Sequence, residues 1–204
     1  MSISPVWHTA SPKEAGAILQ RGGVIVAPAE GVYGLCCRCD DEAALQRLLS
    51  IKKRPAAKGF IVIAASVQEL EPFAALDAVP PAAQDLMRSL WPGPFTFVVA
   101  AAPGALPLLH GEHDTLAVRV SAFEPLRALV VAAGVPLVST SANISGAAPS
   151  AQLDDLAPEI QEQVDGVLTL PCGGLAGATS IYDCLSGELL RQGPQWPQLT
   201  GSSS

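Results

Sequence analysis

Ser11-Pro12-Lys13-Glu14-Ala15-Gly16-Ala17-Ile18-Leu19-Gln20-Arg21-Gly22-Gly23-Val24-Ile25-Val26-Ala27-Pro28 sets a helix directly before a strand. Ser11 is a helix cap, Pro12 takes the first helical position, where a missing N–H costs nothing, and Glu14 completes a capping box. Ala15, Ile18 and Leu19 then share one face, and Gly22-Gly23 closes the helix. Residues 24–27 form an uninterrupted apolar run stopped by Pro28. That is the pattern of a strand buried on both faces, in a sheet that helices cover.

The same alternation continues outward from this unit. Asp40 or Asp41 caps a second helix with Leu45, Leu48 and Leu49 at core spacing, ending near Lys52-Lys53-Arg54, before Pro55. Residues 60–64 read as another buried strand. A helix over 81–90 follows, then the break Trp91-Pro92-Gly93-Pro94, then strands over 95–100 and 115–120. A helix over 123–133 stops at Gly134. Residues 135–138 form a buried strand running into a polar loop, Ser139-Thr140-Ser141-Ala142-Asn143. Near the end, residues 179–184 and 188–191 flank Ser186-Gly187 as a hairpin. Alternating helices and strands that give way to adjacent strands predict a single α/β domain with a mixed parallel and antiparallel sheet. The domain is expected over 11–193, after a short N-terminal extension (1–10) and before a disordered tail (194–204).

Composition narrows the class. Hydrophobic residues make up 49% of the 204 and charged residues 15%, which excludes a disordered chain. No apolar run approaches the roughly 20 residues of a membrane helix, and the N-terminus lacks a signal-peptide pattern, so a cytoplasmic protein is expected. Five cysteines, three of them clustered at Cys36, Cys37 and Cys39, fit reduced buried thiols better than disulfides or a zinc finger. The net charge of −7 opposes broad binding to nucleic acid. Yet Lys52, Lys53, Arg54 and Lys58 gather a third of the twelve basic residues into one segment, which points to a local anion site.

Three polar segments follow predicted strands or helices, where ligands bind in α/β folds. Pro28-Ala29-Glu30-Gly31-Val32-Tyr33-Gly34-Leu35 reads as a strand-to-loop transition with glycines for tight turns. Lys52-Lys53-Arg54-Pro55-Ala56-Ala57-Lys58-Gly59 either surrounds a polyphosphate, with planar Arg forks and compact Lys charges, or complements a helix dipole. Ser139-Thr140-Ser141-Ala142-Asn143 either offers hydroxyls and an amide to phosphate, ribose or adenine, or simply caps the next element. No Gly-x-Ser-x-Gly surrounds the serines, and neither a Walker loop nor a Gly-x-Gly-x-x-Gly is present. His110-Gly111-Glu112-His113-Asp114 lies in a Gly/Pro-rich stretch and reads as a surface loop, not a metal pair.

Taken together, these segments resemble the YrdC/Sua5 family. The likeness runs from about Ser11 to Gly193. Its pieces come in family order: the 28–34 and 52–59 segments, Trp91-Pro92-Gly93-Pro94-Phe95-Thr96, Leu116-Ala117-Val118-Arg119, the stretch 139–146 and Leu190-Arg191-Gln192-Gly193. The resemblance implies a twisted sheet around a positively lined cavity. It implies synthesis of threonylcarbamoyl-adenylate from ATP, L-threonine and bicarbonate with release of pyrophosphate, the activated intermediate for N6-threonylcarbamoyladenosine in tRNA. It implies Mg2+ held mainly by ATP phosphates, and hand-over to downstream threonylcarbamoyl transferase proteins, with tRNA or another structured RNA as a further partner.

By the same resemblance Lys52 and Arg54 contact phosphate and the threonine carboxylate, supported by Lys58. Ser139, Ser141 and Asn143 serve the phosphates or the metal. Arg119, Thr179 and Arg191 lie on the nucleotide side, and Tyr33 shapes the threonine pocket. The family's usual Pro-Thr-Glu is Pro28-Ala29-Glu30 here, which removes a hydroxyl worth about 1 kcal/mol. Two other readings belong to relatives of the same fold: a structured-RNA-binding module without adenylate synthesis, and carbamoyl-adenylate chemistry as in hydrogenase maturation.

Overall fold

The computed structural model describes residues 6–197. Ten strands form one sheet in the order β1-β8-β2-β3-β7-β4-β6-β5-β9-β10. In chain order they are β1 (Trp7–Thr9), β2 (Ile25–Pro28), β3 (Tyr33–Arg38), β4 (Ile61–Ala64), β5 (Phe95–Ala100), β6 (Thr115–Val120), β7 (Leu137–Ser141), β8 (Gly166–Leu168), β9 (Ser180–Asp183) and β10 (Leu189–Arg191). The helices are α1 (Pro12–Gln20), α2 (Glu42–Lys52), α3 (Pro81–Leu90), α4 (Pro107–His110), α5 (Glu124–Ala133) and α6 (Pro158–Gln161). The sheet contains both parallel pairs (β1/β8, β2/β8, β4/β6, β5/β9) and antiparallel ones (β2/β3, β3/β7, β4/β7, β5/β6, β9/β10). The mixed sheet expected from sequence is therefore present.

Both faces of the central strands are buried, and the two-residue period sorts their side chains between two cores. Ile25, Ala27, Cys36, Ile63 and Leu137 join α1 and α5 in one core. Val24, Val26, Leu35, Cys37, Val62, Val118 and Val138 join α2, together with Phe97 and Leu109, in the other. Gly16 is what lets α1 and α5 approach, since a Cβ there would stand 2.5 Å from Ala132 Cβ. Cys36, Cys37, Cys39 and Cys184 are buried free thiols, and burial pushes Cys36 up to about 11.

Several sequence expectations change. Tyr33, Gly34 and Leu35, expected in a strand-to-loop transition, instead begin the strand that runs to Arg38, paired to β2 from Ile25↔Cys36 to Pro28↔Tyr33. The polar run after Val138 is not a loop at first. Ser139, Thr140 and Ser141 remain in β7: all three pair with β3 (Cys36↔Ser139, Leu35↔Thr140, Gly34↔Ser141), and Ser139 also pairs with Ile61 of β4. The capping box is half formed. Ser11 Oγ accepts from Glu14 N–H at 3.4 Å, but the Glu14 carboxylate accepts from Thr9 Oγ1 at 2.5 Å instead of from the cap. The domain begins before residue 11, because β1 pairs with β8. At the other end, residues 194–197 belong to the packed structure, since Trp196 stacks on Tyr182 with ring centroids 5.6 Å apart. The rest of the expected disordered tail, 198–204, lies outside the described residues.

Candidate active site

The α1/α5 face of the sheet is apolar only where those helices cover it. Beyond them the same face carries Gly34 (two residues before Cys36), Ser139 and Ser141 (two and four after Leu137), Ile61, Ala117 and Arg119. Register holds these side by side, with Ile61 opposite Ala117 and Ile63 opposite Arg119. Here the sheet is the floor of a cavity of about 480 Å3. Its walls come from the β2–β3 turn (Ala29, Glu30, Gly31), the segment after α2 (Arg54, Lys58, Gly59, Phe60) and the entry and exit of the β9–β10 hairpin (Thr179, Arg191). A larger cleft of about 650 Å3 lies elsewhere, between α1, Arg47 and Asp165. It holds none of the polar groups gathered here.

Four cationic side chains line the cavity: Arg54, Lys58, Arg119 and Arg191. Glu30 is the one lining carboxylate, and it is already engaged. Its Oε2 is 3.0 Å from Arg119 Nη2 and its Oε1 accepts from Ser121 Oγ at 2.7 Å, with all three side chains buried. Arg119 Nη1 donates to Thr179 Oγ1 at 3.1 Å and to Thr96 Oγ1 at 3.4 Å, and its Nε has no protein partner. Arg191 donates through Nε to Thr179 O at 2.7 Å and through Nη2 to Thr179 Oγ1 at 3.4 Å. Burial, and secondarily the charge of Arg119, holds the Arg191 guanidinium below its ordinary value. Thr179 thus spaces two guanidinium groups that would otherwise repel.

On the opposite wall Arg54 leaves the end of α2 and is fixed on three sides. Its Nη2 donates to Gly59 O at 2.7 Å, its Nη1 to Thr140 Oγ1 at 3.2 Å, and the group sits 5.5 Å from the Phe60 ring centroid. Burial lowers its proton affinity, and its buried Nε is without a protein partner. Two lining guanidinium groups therefore each keep one buried donor without a protein partner. Gly31 keeps the turn close to the 175–177 segment: a Cβ there would lie 2.4 Å from Gly177 O.

Of the residues expected from sequence, Tyr33, Arg54, Lys58, Arg119, Ser139, Ser141, Thr179 and Arg191 all line this cavity. Tyr33 points its hydroxyl to Leu170 O at 2.8 Å, so it shapes the wall with its ring. Lys52 and Asn143 are not among the lining residues. The Lys52 ammonium is turned into the segment after β7, where it meets oxygens of Ser141 and Asn143. Burial, then the charge of Arg54, pushes Lys52 down to about 8. Sequence reasoning gave no site role to Ser121, Phe60 or Thr96, took Thr140 only as part of the polar run 139–143, and read Glu30 as part of an ordinary strand-to-loop transition. The two-residue alternation of β6, with Arg119 between Val118 and Val120, is the signal that could have placed Arg119 and its partner on an internal polar face.

The chain is an α/β protein whose polar cavity is bounded by guanidinium groups and strand-end hydroxyls. A family model described as "Telomere recombination", spanning Sua5, YciO and YrdC proteins, matches residues 17–193, and this chain belongs to that family. The threonylcarbamoyl-AMP synthase of Stenotrophomonas maltophilia (strain K279a) is 44% identical over 177 residues, 87% of this chain and 95% of that protein. P. abyssi Sua5, solved in complex with L-threonine, superposes with a TM-score of 0.85 at 27% identity, covering 93% of this chain and 58% of that one. E. coli YciO superposes with a TM-score of 0.77 at 25% identity, covering 95% and 97%.

Proposed function

We propose that this protein makes L-threonylcarbamoyl-adenylate from ATP, L-threonine and bicarbonate, releasing pyrophosphate. The observation that carries the reading is the charge balance of the cavity: four lining cations against one carboxylate that is already paired. That balance suits a reaction in which one anion must approach another. The threonine amine adds to bicarbonate with loss of water, giving a carbamate. A carbamate oxygen then bonds to the α-phosphorus, and the bond from that phosphorus to the β-bridging oxygen breaks, the electron pair leaving with pyrophosphate. Charge develops on phosphate oxygens, so preorganised cations supply the stabilisation and no covalent nucleophile is required.

In this assignment Arg119, Thr179 and Arg191 hold the nucleotide side. Arg54 and Lys58, with the hydroxyls of Ser139, Thr140 and Ser141, receive the departing phosphates and the threonine carboxylate. Tyr33 bounds the threonine end, close to Ala29. Mg2+ enters as part of the MgATP substrate. The one carboxylate of the cavity is committed to Arg119 and Ser121, which leaves phosphate oxygens and the Ser139 and Ser141 hydroxyls as its ligands. The product is an acyl phosphate anhydride. It is passed on to transferase proteins that place the threonylcarbamoyl group on a tRNA adenosine.

Isotope-labelled bicarbonate tests the chemistry directly. Label should appear in an adenylate only when threonine, ATP and magnesium are all present. Arg54→Ala removes two charge-assisted contacts and should cut the yield roughly a hundredfold. Label incorporation independent of threonine, or unaffected by Arg54→Ala, would contradict the assignment.

A further inference from the structure

One residue joins the last turn of α2 to the segment that follows β7. The buried Lys52 donates from Nζ to Ser141 O at 2.5 Å, Asn143 O at 2.9 Å, Asn143 Oδ1 at 3.2 Å and Ser141 Oγ at 3.3 Å. Its own carbonyl accepts from Ser145 N at 3.2 Å and from Ser145 Oγ at 3.1 Å. Asn143 then closes the turn, its Nδ2 donating to Ile144 O and Ala147 O at 3.0 and 2.7 Å. Three ammonium protons face four oxygens, so Nζ has no donor left to offer a ligand in this arrangement. Ser139, Thr140 and Ser141 line the cavity, whereas Lys52 and Asn143 stand behind them.

The geometry points to Lys52 as a positioning residue. Its ammonium is a built-in cation that holds the Ser141–Ser145 segment, and thereby the hydroxyl wall, from inside a four-oxygen cage. The cage itself is a small-cation site that accepts a free alkylammonium ion when the lysine side chain is removed. The physical reason lies in the acceptors. Two backbone carbonyls, an amide oxygen and a hydroxyl converge on one point, and their dipoles repel unless a cation with N–H donors stands between them. A lysine acting only as part of the positive wall would need no such cage.

The activity readout of the test rests on the synthase reading above; the thermal readout does not. In Lys52→Ala, threonine-dependent pyrophosphate release should fall roughly 10- to 100-fold. Added n-propylammonium, which replaces the three lost methylenes and the ammonium, should restore most of it. Methylammonium should restore less, and tetramethylammonium, without N–H donors, none. The same propylammonium should raise the Tm of Lys52→Ala and leave that of the wild type unchanged. Lys52→Arg should remain impaired, since a planar fork does not fit a convergent cage.

Equal stimulation by tetramethylammonium, or no rescue of a folded Lys52→Ala by any amine, overturns the proposal. A wild type without threonine-dependent turnover, together with a propylammonium-dependent Tm rise in the variant, leaves the cage standing and removes the synthase reading. Where Lys52→Ala does not fold, Asn143→Ala removes the amide oxygen of the cage with the lysine in place. Its KM for ATP should rise about threefold, and an unchanged KM overturns the proposal.

Discussion

Replacing Glu30 by alanine tests whether the cavity is built as a balanced charge system. Glu30 is paired through one oxygen with Arg119 and through the other with Ser121, and all three side chains are buried. Removing one member of a buried pair leaves the other uncompensated, at a cost of about 3–5 kcal/mol. Arg119 borders a cavity that water can enter and keeps contacts to Thr96 and Thr179, so the low end, about 3 kcal/mol, applies. For a domain of this size each kcal/mol moves Tm by about 2–4 °C, which predicts a fall of about 6–12 °C for Glu30→Ala by differential scanning fluorimetry. Glu30→Gln keeps the shape and one acceptor and should lose less. The variant also has an extra uncompensated cation beside the nucleotide side, so MgATP should raise its Tm by more than it raises that of the wild type. A Tm within about 2 °C of wild type, or a smaller MgATP effect in the variant, would refute the reasoning.

Three further outcomes follow from single observations. Lys53 caps α2 in the left-handed conformation, with φ 51° and ψ 45°; Lys53→Gly should stabilise by about 0.5–1 kcal/mol, read as a Tm rise of about 1–4 °C. Gly31→Ala would drive a Cβ against Gly177 O and Leu175 O, so it should destabilise by about 1–3 kcal/mol and raise the KM values for ATP and threonine together. Lys52 sits at about 8, below its ordinary 10.5. Between those values the unfolded chain holds this proton more tightly than the folded one, so its titration alone makes stability rise with pH across that window. A bound polyphosphate raises the folded value again. Calorimetric titration with MgATP should therefore show proton uptake near pH 8.5 that fades toward pH 6.5; release, or no buffer dependence at either pH, would contradict it.

What could be read in the sequence divides along a physical line. Helices with a proline in the first turn and an apolar stripe were legible to within a residue or two, as at 81–90 and 123–133, because these signals are local. Apolar strand runs such as 95–100 and 115–120 were equally plain. Tyr33–Arg38 was missed because its glycine and cysteines carry little β signal, and pairing to β2 and β7 rather than propensity makes it a strand. β1 and β8, three residues each, exist only through each other and β2. The site divides in the same way. Arg54, Arg119, Ser139, Ser141, Thr179 and Arg191 were reached through the resemblance and do meet around one cavity. Glu30 gave no such signal, because its partner Arg119 is 89 positions away. Lys52 was placed with the phosphate-facing cations because spacing says nothing about which way a side chain turns. Its acceptors lie on a distant strand and the turn beyond it.

The most direct test of the central claim is pyrophosphate release by the purified protein with ATP, magnesium and bicarbonate, in the presence of threonine, serine or no amino acid. The account predicts release that depends on threonine and bicarbonate together and collapses in Arg54→Ala. Release that ignores the amino acid, or none from a folded sample under any of the three conditions, would contradict it.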